Sequence, residues 1–202
     1  MSKESYGVDE LLQRLRHYQP RTLSGNETYQ EAAVLVPIIR GEHPELLLTL
    51  RASNLSTHGG EVALPGGRRD PEDADLVATA LREAQEEVGL PPGLVEVIAP
   101  LSPLVSRYGL AVTPIVALIP DQLDYTPSEA EIAAVFTVPL RFFCEVPPDF
   151  TLRVDHDGRR WQVPSYQYGE YRIWGLTAVI IVELVNLLYD AGIVLKAPPR
   201  RD

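Results

Sequence analysis

The sequence predicts an α/β fold with few parallel βαβ repeats. Three observations carry that expectation: several short apolar runs bounded by turn residues, one helix punctuated at both ends, and a long apolar segment near the C-terminus broken by polar residues. With 202 residues, 45% of them hydrophobic and 23% charged, the chain can bury a sizeable core, and two full domains would be cramped. A single domain spanning 1–202 is expected, with residues 1–29 forming an N-terminal helix and a loosely attached linker arm.

The elements follow in order. "VDELLQRLRHY" has helical spacing and precedes the polar linker "QPRTLSGNETYQ". "EAAVLVPIIR" and "ELLLTLR" read as strands joined by the turn-like "GEHP", and "GEVALPGG" gives a third short strand running into a glycine pair. "DLVATALREAQEEV" is a helix with Asp73 or Asp75 as N-cap, after Pro71, and with Gly89 and Pro91 as stop signals. Apolar segments around "LVEVIAPLSPLV", "LAVTPIVALI" and "AAVFTVPLRFF" come next, then a hairpin "FTLRVDHDGRRWQVP" turning at Asp157 and Gly158. In the closing segment "WGLTAVIIVELVNLLYDAG", Glu183 and Asn186 interrupt the run before the roughly 20 residues of a membrane span, so a buried helix is expected.

A net charge of −10 argues against a general binder of nucleic acid or anionic membranes, while leaving room for a small polyanion whose charge a metal neutralises. The single cysteine, Cys144, permits no internal disulfide and reads as structural. "MSKESYGVDELLQRL" lacks the apolar core of a signal peptide, and a cytoplasmic address is expected.

The chemistry gathers in "LREAQEEVGL". Glu83, Glu86 and Glu87 fall within an arc of about 100° on one helix. Val77, Leu81, Ala84 and Val88 form the neighbouring apolar stripe, which puts the carboxylates at the edge of the core-facing side, half sheltered. Each like-charged pair costs about 0.2 to 0.5 kcal/mol, and Glu86 and Glu87 also occupy the negative end of the helix dipole. A solvated acidic face is one reading. The other is a divalent cation, which reverses both penalties because hard oxygen ligands on one face suit Mg²⁺ or Mn²⁺. Without metal the cluster is expected to repel itself.

The longer stretch "GGRRDPEDADLVATALREAQEEVGL" resembles the Nudix box, whose ending R-E-apolar-x-E-E-x-G-apolar is met by Arg82 through Leu90. The pattern has a Glu six residues after the glycine; here Asp73 stands in that place, with one spacer residue too many. That weakens any role for Asp73, yet insertion and Asp together fit the coenzyme A diphosphatase branch. "LLTLRASNLSTHGGEVALPGG" resembles that branch's signature L-L-T-x-R-S-x-x-L-x-x-H-x-G-x-V-x-F-P-G-G, with Ala52 for Ser and Leu64 for Phe. "EIAAVFTVPL" and "RIWGLTA" are similar to it too, so the resemblance covers roughly residues 30 to 190.

The resemblance implies a Nudix α/β/α sandwich with a mixed central sheet. It implies hydrolysis of the diphosphate of coenzyme A, or of its thioesters, to 3′,5′-ADP and a 4′-phosphopantetheine product with Mg²⁺ or Mn²⁺. ADP-ribose, a dinucleotide or a nucleoside triphosphate is the alternative substrate, and a ligand-binding regulator the alternative class. Glu83 and Glu87 become the metal ligands, with Glu86 a third ligand or the acceptor of the water's proton. Arg82, at i, i+4 from Glu86, can orient the cluster, and Gly66 and Gly67 let backbone approach metal or phosphates. Glu131, with Glu129 as alternative, is the candidate base. Arg51 and His58 are the candidate phosphate contacts, the 3′-phosphate of coenzyme A inviting such a cation. Trp174 is either a wall of a nucleotide pocket or core, and His17, His43 and His156 receive no role. The expected partner is a small-molecule substrate, with no nucleic acid and no membrane, and a homodimer is left open. "DPEDAD" fails as a calcium loop for want of the central Gly and the closing Glu, and phosphate-loop, nucleophile-elbow and paired C-x-x-C motifs are absent.

Overall fold

Alternation along the longest strands decides the architecture. The computed structural model describes residues 8–23, 28–55, 57–156 and 159–195, with backbone alone for 8–11, 151–156 and 159–162. Strand β1 (Gln30–Ile39) runs parallel to β7 (Leu110–Ile119), in register from Gln30 opposite Leu110 to Ile39 opposite Ile119. Beside β1 lies β2 (Glu45–Arg51), antiparallel through Ile38 and Leu46. These strands are buried on both faces, which is why they read as near-continuous apolar runs.

On one face Ala33, Leu35, Leu47, Ile115, Ala117 and Ile119 pack against Ala80, Ala84 and Val88 of helix α2 (Leu76–Val88). The intervening Val36, Ile38, Leu46, Leu48, Val116 and Leu118 point the other way, into a core shared with α1 (Val8–Arg16) and the closing helix α4 (Gly175–Tyr189). The result is the α/β/α sandwich with a mixed sheet. Its path runs β3 (Val62–Ala63), β2, β1, β7, β5 (Glu96–Pro100); β4 (Gly66–Arg68) pairs with β1, β6 (Leu104–Val105) with β7 and β8 (Ile132–Pro139) with β2. A short helix α3 (Leu140–Glu145) follows β8 and carries Cys144, whose thiol faces the Leu140 carbonyl. A second sheet holds β9 (Asp149–His156), β10 (Arg159–Tyr168) and β11 (Tyr171–Trp174). His156 faces Arg159 across the hairpin, whose turn residues Asp157 and Gly158 lie outside the described residues.

One expectation needs correcting. The N-terminal helix is not a loose arm: Leu12 and Leu15 are buried in the main core, and Tyr18 just beyond donates its hydroxyl proton to Glu183 on α4 while hydrogen-bonding Ser102. Sequence spacing showed an amphipathic helix but not what covers its apolar side. The glycine pair lies within a strand. Gly66 and Gly67 open β4, paired with Val34 and Ala33 of β1.

The polar residues that interrupt α4 are satisfied locally. Glu183 also accepts from the Ser102 N–H at 3.3 Å, and Asn186 exchanges two hydrogen bonds with the Ile193 backbone at 2.8 and 2.9 Å. Among the described residues no helix is long and apolar enough to cross a membrane. Trp174, half-buried opposite Ser165, ends β11 and supplies the N-cap backbone of α4.

Candidate active site

The acidic helix is fixed at both ends before any charge is placed. Asp75 is the N-cap, its Oδ1 accepting from the Ala78 N–H at 2.8 Å. Gly89 terminates the helix in the left-handed region at φ 71°, donating to the Gln85 carbonyl while Leu90 donates to that of Ala84. A Cβ there would press on Thr126 at 3.0 Å, so packing as well as φ requires glycine.

The three carboxylates are graded in burial rather than equally half sheltered. The side chain of Glu87 is 4% exposed, that of Glu83 17% and that of Glu86 58%. The buried face is Thr79, Ala80, Ala84, Glu87 and Val88, with Val77 and Leu81 only half-buried beside it. Glu87 thus lies inside the face that sequence spacing assigned to apolar residues.

Glu87 is held from two sides. The Gly66 N–H donates to Oε2 at 3.0 Å and Arg51 Nη1 donates to Oε1 at 3.1 Å. Burial nevertheless pushes its carboxyl up to about 7, against the downward pull of Gly66 and Arg51. Glu83 is raised as well, by burial, with Arg82 opposing. The charge of Glu131, exposed just ahead of β8, adds a small upward push to both. Glu129 is exposed in the preceding turn.

Glycine is required at β4 by crowding. A Cβ on Gly67 would overlap the Glu83 carboxylate, and one on Gly66 would overlap the Ala33 carbonyl oxygen and Val34 Cα. The strand therefore slides between β1 and α2 and presents bare backbone to the carboxylates.

Arg82 ties the other end together. Its Nε and Nη2 grip both oxygens of Asp73 at 3.0 Å, Nη1 reaches Glu83 and Glu86 at 3.0 Å, and Nη2 also donates to the Arg68 carbonyl at 3.1 Å. Asp73 further accepts from Thr79 Oγ1 at 2.9 Å and the Asp70 N–H at 3.0 Å. The Arg82 fork holds the Asp73 carboxyl far below the usual carboxylate range, and Asp73 in turn raises Arg82. One expectation falls here, since Asp73 has a firm place despite the inserted residue; the expected repulsion persists, Glu86 raising Glu83 and Glu83 raising Glu87, with Arg82 and Arg51 opposing it. Arg69, which sequence reasoning passed over, bonds Glu31 at 2.7 Å and the carbonyls of Asp73 and Ala74, pinning the loop that delivers Asp73.

The structure does not bring His58 to the carboxylates. It adopts φ 57°, hydrogen-bonds Glu61 at 2.7 Å and meets the Tyr108 ring edge-on at 5.1 Å. Tyr108 and its neighbour Arg107, on the turn between β6 and β7, were not singled out from sequence; a lone aromatic beside a glycine carries no signal there.

A family description, the NUDIX domain, matches residues 29–162. The chain belongs to the Nudix family. It is 44% identical over 184 residues to a protein from Cronobacter sakazakii named "Uncharacterized Nudix hydrolase NudL", covering 91% of this chain and 96% of that one. The protein of the same name from an Enterobacter species is 43% identical, with the same coverage. The fold is similar to that of a MutT/nudix family protein from Enterococcus faecalis, with TM-score 0.52 and 16% identity, over 92% of this chain and 70% of that one.

Nudix hydrolases generally use divalent ions such as Mg²⁺ or Mn²⁺. Among the described residues no three His, Cys, Asp or Glu side chains stand arranged to hold a metal, and the arginines and the Gly66 N–H hydrogen-bond the carboxylate oxygens. The donor set still fits such an ion: hard oxygens graded from buried to exposed along one Nudix helix, facing a strand that carries no side chain at Gly67.

Proposed function

We propose that this Nudix hydrolase cleaves the diphosphate of coenzyme A, free or as a thioester, to 3′,5′-ADP and 4′-phosphopantetheine or its S-acyl form. The observation that carries this reading is the meeting of the two sequence blocks. Arg51, from the stretch resembling the coenzyme A signature, lies 3.1 Å from Glu87 of the Nudix helix, so the stretch tied to substrate choice opens directly onto the acidic cluster.

In this reading Glu83, Glu86 and Glu87 hold Mg²⁺ or Mn²⁺, which when bound screens the diphosphate and lowers the pKa of the attacking water. Arg82 orients Glu83 and Glu86, and the Gly66 and Gly67 backbone lets the phosphates come close. Water adds to one phosphorus, a bridging P–O bond breaks, and Glu131 or Glu86 takes the water's proton. Arg51 serves a substrate phosphate, and His58, at the rim, serves the outer part of the same molecule.

The test is incubation of the pure protein with coenzyme A, acetyl-coenzyme A, ADP-ribose and a diadenosine polyphosphate, each with Mg²⁺ or Mn²⁺, resolving products by chromatography. The proposal expects 3′,5′-ADP from coenzyme A at the highest kcat/KM. Preferential cleavage of ADP-ribose or the dinucleotide would replace the substrate assignment, and no turnover of any would favour a binding module.

A further inference from the structure

The contact between Arg51 and Glu87 obstructs the proposed use of both residues. Arg51 ends β2, and the two side chains are 22% and 4% exposed. With Arg51 on Oε1 and the Gly66 N–H on Oε2, both oxygens of Glu87 carry a donor. The Arg51 fork itself is poorly served, because its Nε is buried and has no hydrogen-bond partner among the described residues. A guanidinium held permanently inside a protein has acceptors around its fork, as Arg82 does here.

We propose that Arg51 is a removable counter-ion: it neutralises Glu87 while the site is metal-free, a divalent cation arriving at Glu87 displaces it, and the freed guanidinium then takes a phosphate of the substrate. The inference rests on the reading of Glu87 as a metal ligand. A dication and a guanidinium on one buried carboxylate repel, and the doubly charged ion wins the oxygen. Only the side chain has to move. The Arg51 backbone is fixed by its N–H to the Glu61 carbonyl at 3.0 Å and by the Gly60 N–H to its own carbonyl at 3.1 Å. The pairing of β2 with β8 also shifts register between Leu50 and Arg51, which marks this residue as the point where the strand departs from regular pairing. Metal and phosphate recognition are thereby coupled through one residue, which holds the cluster in the empty site and reads substrate in the loaded one.

The test uses arginine-selective labelling with phenylglyoxal and peptide mass spectrometry on the wild-type protein, without metal, with saturating Mn²⁺, and with Mn²⁺ plus inorganic phosphate. Labelling of Arg51 should be low, then rise severalfold with Mn²⁺, then fall again with phosphate, while Arg82 stays unreactive throughout. In parallel, Mn²⁺ titration followed by electron paramagnetic resonance should show Arg51→Ala binding the ion about fivefold or more tightly than wild type. Unchanged labelling of Arg51 at saturating Mn²⁺ overturns the proposal whatever the variant does, because a fixed Arg51 that merely repelled the ion would also give tighter binding on removal. Weaker Mn²⁺ binding by Arg51→Ala overturns it too, making Arg51 a positioner of Glu87. Failure of the metal reading is distinguishable: Mn²⁺ would then bind wild type and Glu87→Gln alike.

Discussion

Two arginines hold the acidic helix, and they hold it differently. Arg82 is saturated, with five bonds at 3.0 to 3.1 Å to Asp73, Glu83, Glu86 and the Arg68 carbonyl. Among the described residues Arg51 makes one side-chain bond, to Glu87, and keeps a buried Nε without a partner. The first region is a finished ion-pair network assembled by the loop ahead of α2, and it needs no ligand to be complete. The second is unfinished: a buried carboxylate pushed up to about 7 faces a cation that is only partly satisfied. A site that must bind an ion reproducibly needs both kinds of region, a frame that fixes ligand directions and a place where bonds remain to be made.

The comparison breaks most directly at the unfinished end. Glu83→Gln and Glu87→Gln each remove a carboxylate proposed to hold the metal and should lower kcat/KM for the cleaved diphosphate by roughly 10³-fold, with circular dichroism unchanged. Glu86→Gln should cost less, since that carboxylate is 58% exposed and its bond to Arg82 is one of several. Full activity in Glu87→Gln would remove the reason for calling that end a site at all.

Gly67→Ala perturbs the frame without touching a charge. The added Cβ overlaps the Glu83 carboxylate and must push it off its line to Arg82. A displacement of about 1 Å at a reacting centre costs on the order of 10²-fold, and that loss is expected in kcat/KM with a nearly unchanged Tm. Gly66→Ala meets backbone atoms of β1 instead, so its damage should appear as lower Tm and soluble yield. Reversal of the two phenotypes would mean that Gly67 serves the sheet and Gly66 the chemistry.

The same contrast separates what the sequence made legible from what it hid. Caps, stops and strand runs are local, and Asp75, Gly89 and the apolar segments read correctly because each signal lies within a few residues of its effect. The Nudix box likewise exposes Glu83, Glu86 and Glu87 together. The pairings that give each carboxylate its environment join residues far apart in the chain, Arg51 to Glu87 across 36 positions and Tyr18 to Glu183 across 165. Periodicity could not show them. It also misled over Glu87, because counting glutamate as polar shifted the inferred core face away from the residue that is buried.

Asp73 is the test of the finished region. Asp73→Ala deprives Arg82 Nε of its acceptor, and leaves the Asp70 N–H and one bond of Thr79 unmade. Tm is expected to fall by several degrees in thermal melts, with kcat/KM reduced less than in Gly67→Ala, because Arg82 keeps Glu83 and Glu86. Asp73→Glu, which restores the acid of the usual box, should recover part of the loss. A variant as stable as wild type would show that Arg82 is held by the helix carboxylates alone.

The smallest effect separates the two arginines by pH. Burial raises the Glu87 carboxyl from 4.5 to about 7, so between those values the folded protein binds a proton that the unfolded chain has already released. Stability of the metal-free protein must then fall as pH rises through that window and level off above it. Asp73 is shifted the other way, so its contribution is complete above the unfolded value of 3.8 and is lost only at lower pH. The Asp73–Arg82 pair therefore adds no slope between about pH 5 and 8, whereas Glu87 does. Melting the metal-free protein across that range should give a Tm declining by a few degrees, and Glu87→Gln should flatten most of the decline, leaving the part due to Glu83, which burial also raises. Saturating Mn²⁺ should invert the wild-type trend, since ions bind the deprotonated carboxylates and stabilise more as pH increases. A slope that survives unchanged in Glu87→Gln would place the titrating group elsewhere and make the Arg51 end as settled as the Arg82 end.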